Sequence, residues 1–207
     1  MTEPGLFVAF EGGEGSGKST QITLLAQRLR AGGREVVTTF EPGGTVVGAA
    51  IRQVLLSRDT QGLAPRAEAL LFAADRAQHV DALVRPALRR GAVVLTDRYM
   101  DSSIAYQGAG RELSVDEIRK LSEWATDELL PDLTVLLDVD PVTGLQRAAG
   151  ETDRLEAEPL QFHNRVRQHF LALAAAEPNR YVVLDAAQPV TEIAEAAHAA
   201  VLARVAG

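Results

Sequence analysis

Short runs of apolar and β-branched residues alternate along this chain with longer segments whose apolar positions recur every three or four residues. The short runs predict buried strands, and the longer segments predict amphipathic helices. The predicted strands are 6–10, 35–40, 92–96, 133–138 and 180–185. The predicted helices are 18–31, 46–57, 65–89, 114–129, 141–148, 159–176 and 190–206. This alternation is typical of an α/β fold, here a five-stranded parallel sheet flanked by helices.

The segment that follows the first predicted strand is rich in glycine. Residues 12–19 read Gly-Gly-Glu-Gly-Ser-Gly-Lys-Ser and fit the pattern G-x-x-x-x-G-K-S/T between a strand and a helix. In such a loop, backbone N–H groups turn toward phosphate oxygens, and the helix N-terminus adds partial positive charge. The alternative is a glycine-rich turn without a ligand. We predict a site for ATP at Gly12, Gly13, Glu14, Gly15, Ser16, Gly17, Lys18, Ser19 and Thr20.

Two residues of this loop have distinct predicted roles. Lys18 would reach the β- and γ-phosphates, and the Ser19 hydroxyl would hold Mg²⁺. Lys18 and Lys120 are the only lysines in a chain that otherwise carries its positive charge on arginine. A compact ammonium group at position 18 therefore points to a specific use.

Composition narrows the classes of function. The chain has 207 residues, of which 46% are hydrophobic, and this is enough to bury one substantial core. We therefore predict that residues 1–207 form a single domain. The chain has no cysteine, which excludes disulfides and thiolate chemistry, and its charge of −7 argues against nucleic-acid polymers as partners. No segment has the length and apolarity of a membrane span, and a signal-peptide pattern is lacking, so we expect a cytoplasmic protein without a membrane partner.

The four histidines do not have the spacing of a metal site, and solvated or capping roles are expected for them. They are His79, His163, His169 and His198.

Residues directly after the predicted strands are further candidates, because ligands of open parallel sheets bind beyond the carboxyl ends of the strands. Glu-Pro-Gly-Gly-Thr at 41–45 and Asp-Arg-Tyr at 97–99 occupy such positions. Arg98 beside Asp97 suits a second anion better than an activated water molecule. The chain also lacks the Asn-Lys-x-Asp guanine reader of GTPases and the extra loop lysine of partition ATPases. A small kinase is the remaining interpretation.

Along nearly its whole length, the chain resembles the bacterial thymidylate kinases. The segments that carry the resemblance are 11–20, 41–45, 71–76, 97–99, 105–108, 131–134, 136–139 and 153–154. The resemblance implies a P-loop kinase fold with a short lid at about 147–157. It implies transfer of the γ-phosphoryl group of ATP to dTMP, giving dTDP, with Mg²⁺ as cofactor. It also implies a homodimer formed through helices such as 65–89 and 114–129.

The resemblance further implies roles for individual residues. Arg98 and Arg52 would hold the acceptor phosphate, where the alternative is ordinary ion pairing. Phe72, otherwise a core aromatic residue, would stack on thymine, and Arg76 one helical turn later would reach a base carbonyl. The predicted dTMP-binding residues are Glu14, Glu41, Pro42, Arg52, Phe72, Arg76, Arg98, Ser102, Ser103, Tyr106 and Gln107.

Within this set, Glu14 would meet the sugar 3′-hydroxyl, and Tyr106 would disfavour ribose. Ser103 and Gln107 would lie at the base edge, where the alternative is a surface loop. The predicted catalytic residues are Lys18, Asp97, Arg98, Arg147 and Arg154, and the predicted metal-site residues are Ser19 and Asp97. Asp97 could bind Mg²⁺ directly, bind it through water, or orient Arg98.

Two features depart from the family's pattern. The lid has only Arg147 and Arg154, where relatives with a similar phosphate loop have several basic residues, and Phe40 stands where arginine is common. Two other functions stay open. One is a kinase for another nucleoside monophosphate or for a deoxynucleoside, and the other is a regulatory or partition ATPase that hydrolyses ATP without an acceptor.

Overall fold

A computed structural model describes residues 5–60, 62–148 and 153–205. At its centre is one sheet of five parallel strands, in the order β2-β3-β1-β4-β5. The strands are β1 Leu6–Glu11, β2 Val36–Phe40, β3 Val93–Asp97, β4 Leu133–Asp138 and β5 Tyr181–Asp185. The predicted α/β class and five-stranded parallel sheet are confirmed, and the strand bounds lie close to the predicted ones.

Helices flank the sheet. The α-helices are α1 Lys18–Ala31, α2 Val46–Leu56, α3 Pro65–His79, α4 Arg85–Arg89, α5 Met100–Ser103, α6 Val115–Thr126, α7 Pro141–Arg147, α8 Leu160–Ala176 and α9 Val190–Val205. Two π-helical segments are π1 Val80–Val84 and π2 Ile104–Gly110. The helix predicted at 65–89 is thus α3, π1 and α4 in succession. Among the residues described, no helix combines the length and the apolar character needed to cross a bilayer.

Two hydrophobic cores lie on opposite faces of the sheet. Side chains alternate between the faces of a strand. Leu6, Val8 and Phe10 of β1 therefore pack with α1 and α9, whereas Phe7 and Ala9 pack with α3, α6 and α8. The central strand is buried on both sides, which agrees with its continuous apolar sequence.

The helical pair α5 and π2 was not predicted. Its sequence, Met-Asp-Ser-Ser-Ile-Ala-Tyr-Gln-Gly-Ala-Gly, is rich in serine and glycine, which are poor helix formers. The segment is nevertheless buried almost throughout and packs against α6 and α8. Tertiary packing rather than local propensity therefore forms these turns.

The carboxylate of Glu11, at the end of β1, holds the start of α5. Its Oε1 accepts hydrogen bonds from the backbone N–H groups of Tyr99 (2.9 Å) and Ser102 (3.1 Å), and its Oε2 accepts one from Ser102 Oγ (2.6 Å). Burial raises the pKa of Glu11 to about 7, and the neighbouring Asp101 carboxylate contributes. Asp101 is itself paired with Arg180 at 2.8 Å. Buried donors at the start of α5 are thus satisfied by a carboxylate from β1.

Glu11→Gln should remove part of the pH dependence of stability. A carboxyl group whose pKa rises on folding, from 4.5 to about 7 here, binds more protons in the folded state, so its contribution to stability falls as pH rises through this window. The shift corresponds to roughly 3 kcal/mol. Glutamine keeps the shape and the acceptor Oε1 but does not titrate. Urea unfolding between pH 4.5 and 7 should therefore give a flatter profile for the variant, and equal slopes in both proteins would contradict the assignment.

Candidate active site

A cavity of about 140 Å³ opens beyond the carboxyl ends of the central strands. Most of the predicted dTMP-binding residues come together around it: Glu14, Glu41, Arg52, Phe72, Arg76, Arg98, Ser102, Ser103, Tyr106 and Gln107. Pro42 does not line the cavity, but its carbonyl accepts a hydrogen bond from Arg52 Nη1 at 2.7 Å. Pro42 therefore lies behind one of the lining arginines.

Five further lining residues were not in the predicted dTMP-binding set: Leu56, Tyr99, Asp153, Leu155 and Glu156. Tyr99 was a candidate by its position directly after a predicted strand, but no contact with dTMP was predicted for it. Leu56 is the last residue of an ordinary amphipathic helix, and its sequence context carries no signal of a ligand. The three residues after 152 fall within the predicted lid, whose residues 149–152 lie outside the described parts of the chain.

Arg98 joins the cavity to the phosphate loop. It adopts the left-handed backbone region, with φ of 69°, directly after β3. Its Nη2 donates to Glu14 Oε1 at 2.6 Å, and its Nη1 donates to the Gly12 carbonyl and to Ser102 Oγ, both at 3.2 Å. Burial opposes its charge, but Glu14, Tyr106, Asp97 and Glu11 together outweigh burial and raise the pKa of Arg98. The guanidinium group is thus charged and held in a fixed direction.

Glu14 is the anionic partner of Arg98 in the phosphate loop. The Tyr106 hydroxyl donates to the same Glu14 Oε1 at 2.8 Å. Burial alone would raise the pKa of Glu14, but Arg98, Lys18 and the Tyr106 hydrogen bond lower it to about 2. The Arg98 guanidinium also lies 4.9 Å from the Tyr106 ring centroid. These three side chains therefore form one compact charged cluster at the cavity wall.

The opposite wall is built on one face of α3. Arg76 is only 1% exposed, and its Nε donates to Glu41 Oε2 at 2.8 Å while its Nη2 donates to Ser103 Oγ at 3.1 Å. Phe72, one turn earlier, is buried and lines the cavity as well as the core. Phe72 is therefore both a core aromatic residue and a cavity residue.

His79 and His163 are both buried, so the expectation of a solvated or capping role is wrong for them. The Nδ1 of His79 lies 2.7 Å from Glu41 Oε1, and its Nε2 lies 2.8 Å from Thr39 Oγ1. Partners on both ring nitrogens offset the cost of burying a polar ring. Together with Arg76, His79 fixes both oxygens of Glu41, and so anchors the 41–45 segment.

Arg52 reaches the cavity from α2. Its guanidinium lies 5.7 Å from the ring centroid of Phe40. Arg52 and Phe40 therefore form a cation–π contact of the strength that is usual at exposed sites. Phe40 therefore supports Arg52 from one side while the Pro42 carbonyl holds it from the other.

A second cavity of about 370 Å³ lies over the phosphate loop and is lined by Lys18, Asp97, Arg98 and Arg147, among others. Lys18 Nζ donates to the carbonyls of Gly12 (3.2 Å) and Gly13 (3.1 Å). Burial, together with nearby Arg98, lowers the pKa of Lys18. Neutral carbonyls are weaker partners than phosphate oxygens, so an incoming phosphate can replace them.

Ser19 and Asp97 fit a divalent-cation site at the start of α1. Ser19 Oγ donates to Asp97 Oδ2 at 2.8 Å, which places a hydroxyl and a carboxylate side by side. Magnesium usually takes one or two protein carboxylates and completes its shell with water and phosphate oxygens. In the parts of the chain that the structure describes, no cluster of three or more His, Cys, Asp or Glu side chains could hold a metal. The donor set therefore suits a metal that arrives with a nucleotide.

The two predicted lid arginines lie in different places. Arg147 lines the phosphate-loop cavity, and its Nη1 donates to the Ala186 carbonyl at 2.8 Å. Arg154 instead donates from Nε to the Leu55 carbonyl at 2.9 Å and pairs with Glu68 at 2.6 Å. The structure therefore brings Arg147, but not Arg154, to the phosphate loop in this conformation.

Comparisons with known proteins agree with this geometry. A family model described as "Thymidylate kinase" matches residues 10–197. A thymidylate kinase of Leifsonia xyli subsp. xyli is 60% identical over 92% of this chain and 91% of its own length. One from Deinococcus radiodurans is 54% identical over 97% of this chain and 98% of its own length.

A solved structure gives the same result. The crystal structure of thymidylate kinase from Ehrlichia chaffeensis is similar with a TM-score of 0.80 and 32% sequence identity, and the match covers 96% of this chain and 99% of that one. Sequence and fold therefore agree over almost the whole length, and the chain belongs to the thymidylate kinase family.

Proposed function

We propose that this protein transfers the γ-phosphoryl group of ATP to dTMP, giving dTDP and ADP, in a reaction that depends on Mg²⁺. As a member of the thymidylate kinase family, it is a nucleoside monophosphate kinase. The observation that carries the proposal for the site is the position of Arg98, which lines both the phosphate-loop cavity and the cavity of the predicted dTMP residues. One guanidinium can therefore meet both anions.

The acceptor needs no strong general base. The second pKa of a phosphate monoester is about 6, so the attacking oxygen of dTMP is largely ionised near neutral pH. The barrier is instead the repulsion between two anionic nucleotides, together with the charge on the transferring group. Three positive side chains would offset this repulsion: Lys18 on the donor side, Arg52 on the acceptor side and Arg98 between them. Ser19 and Asp97 would hold Mg²⁺, which when bound neutralises charge on the phosphate oxygens.

The nucleoside would occupy the cavity between α3 and π2. Phe72 and the buried Arg76 both line this cavity, so Phe72 could stack on the base and an N–H group of Arg76 could meet a base carbonyl. Tyr106 packs edge-on against Phe162 and Phe170, and its hydroxyl is bonded to Glu14. A ring fixed in this way cannot easily move aside to make room for the 2′-hydroxyl of a ribonucleotide. This supports a preference for the deoxyribose nucleotide.

Two glycines hold the phosphate loop against α7. A Cβ added at Gly144 would lie 2.3 Å from the Glu14 carbonyl oxygen, and one added at Gly15 would lie 2.0 Å from the Gly144 carbonyl oxygen. Gly15 also has a φ of 62°, which favours glycine. Close backbone approach thus sets the position of the loop that would bind ATP.

We infer that the protein is a homodimer. Large apolar side chains are exposed on neighbouring helices: Val46, Val47 and Val54 on α2, Leu70 on α3 and Trp124 on α6, where Trp124 is 81% exposed. Helix α3 packs against both α2 and α6, so these side chains can belong to one face. A second copy of the chain could cover such a face. The cytoplasmic location stays a prediction from the sequence.

Lys18→Ala should lower turnover by about a hundredfold or more, because it removes the charge that would neutralise the β- and γ-phosphates. Lys120→Ala is the matched control, since Lys120 is exposed on α6 and pairs only with the surface Asp116 among the contacts described. The measurement is dTDP and ADP formation with dTMP, dUMP, CMP and thymidine as acceptors. Normal turnover by Lys18→Ala would reject its role, and ADP formation without any phosphorylated acceptor would favour the ATPase alternative.

Gly144→Ala should raise the KM for ATP, by about tenfold or more. Alanine in a helix is favoured over glycine by roughly 1 kcal/mol, but its Cβ would lie far inside van der Waals distance of the Glu14 backbone, so the loop must shift. Gly32→Ala is the control, because its Cβ would meet its nearest neighbour at an ordinary 3.4 Å. An unchanged KM for ATP in Gly144→Ala would show that the contact does not position the loop.

Trp124→Arg should shift the protein from dimer to monomer at a fixed concentration, because it places charge in the apolar face. Leu202→Arg, at a half-exposed position on α9 across the sheet, should leave the assembly unchanged. Sedimentation velocity at several concentrations measures both. A monomeric parent protein, or an unaltered dimer in Trp124→Arg, would contradict the assignment of this face.

A further inference from the structure

Glu68 is a fully buried carboxylate on α3, and it lies behind Gln107, which lines the cavity between α3 and π2, here called the base cavity. Gln107 Nε2 donates to its Oε1 at 2.9 Å. Arg111 donates to both of its oxygens at 3.2 Å, and Arg154 Nη2 lies 2.6 Å from its Oε2. The roles proposed above for the phosphate loop and for the arginines at the acceptor phosphate do not involve this carboxylate.

Glu68 stays ionised although it is buried. Burial alone would raise its pKa, but the hydrogen bonds from Arg111, Gln107 and Arg154 outweigh burial and hold the pKa below its ordinary value. An ionised carboxylate has acceptor oxygens and no proton to donate. Every group that faces Glu68 must therefore be a donor.

This requirement fixes the orientation of the Gln107 amide. The two ends of a glutamine amide are distinguished by their hydrogen-bond partners. Against Glu68, the NH₂ end forms a hydrogen bond, whereas the carbonyl end would meet a negative oxygen. Gln107 is 1% exposed and lines the base cavity, so its carbonyl oxygen is the amide atom left for a ligand.

We propose that Glu68 is a positioning residue that makes the site selective for thymine and uracil over cytosine, by holding the Gln107 carbonyl toward the base. The inference rests on the proposed function. Thymine presents an N3–H donor beside the O4 acceptor, which match a carbonyl on Gln107 and an N–H donor on Arg76. Cytosine presents an N3 acceptor and an amino donor, so both contacts are reversed and buried polar groups are left unpaired.

Glu68→Gln tests the proposal, because the variant side chain also has two different ends. Two cations meet Oε2, since Arg111 Nη2 donates there and Arg154 Nη2 lies 2.6 Å away, whereas only Arg111 Nε and Gln107 donate at Oε1. The amide oxygen is therefore favoured at the Oε2 position, which places the new NH₂ group against Gln107. Gln107 would then turn its carbonyl toward residue 68 and its NH₂ toward the base. We expect the ratio of kcat/KM for dTMP to that for dCMP to fall about tenfold or more. dUMP shares the thymine edge and should follow dTMP.

Two variants control for simple loss of structure. Glu158→Gln removes a carboxylate that also pairs with Arg111 but does not contact Gln107, and the ratio should stay within about twofold of the parent's. Glu68→Asp keeps a group that only accepts, so it should lose activity toward both substrates while keeping the ratio. A purely structural role would lower both substrates alike in every variant. A parental ratio in an active Glu68→Gln protein would overturn the proposal.

A measurement on the unaltered protein covers the case in which Glu68→Gln does not fold. The side-chain amide signal of Gln107 in ¹⁵N NMR, identified by its loss in Gln107→Leu, should keep a slowly exchanging proton without any substrate. Fast exchange of both amide protons would overturn the proposal. This readout needs no turnover, so failure of the parent protein to make dTDP would reject the proposed function separately.

Discussion

The site depends on the ion pair between Glu14 and Arg98. Two charges taken out of water are stable only when they are close and when their remaining hydrogen-bonding groups are satisfied. Glu14 Oε1 lies 2.6 Å from Arg98 and also accepts from Tyr106, while Arg98 reaches Gly12 and Ser102. These partners come from the phosphate loop, from the end of β3 and from the α5–π2 segment. The pair therefore ties three separate parts of the chain to one point.

The same arrangement recurs around the cavity. Arg76 is held by Glu41, the Gln107 amide by Glu68, and Ser102 by Glu11, and each of these carboxylates is buried. Glu68 and Glu11 sit behind the groups that line the cavity, and Glu41, which lines it, has both oxygens engaged by Arg76 and His79. This explains how a chain with a net charge of −7 can offer a site for anions. Much of the negative charge near the site is thus used to orient hydrogen-bond donors.

Much of the fold could be predicted because its signals are local. The strand bounds follow from apolar runs, and the phosphate loop follows from a dense motif between a strand and a helix. The α5–π2 segment could not be predicted, because packing against α6 and α8 overrides its glycines and serines. The burial of His79 and the pairing of Arg154 with Glu68 join residues far apart in sequence, and no periodicity records such contacts.

The scarcity of lysine has a practical consequence for handling the protein. Of the two lysines, Lys18 is buried in the phosphate loop, whereas Lys120 is exposed on α6, one helical turn before Trp124. Reagents that attack amines will therefore label α6 in preference to the phosphate loop. A sensor surface or fluorophore attached through Lys120 would sit beside the exposed tryptophan. Attachment there would leave the phosphate loop unmodified but would place the label in the face proposed for self-association.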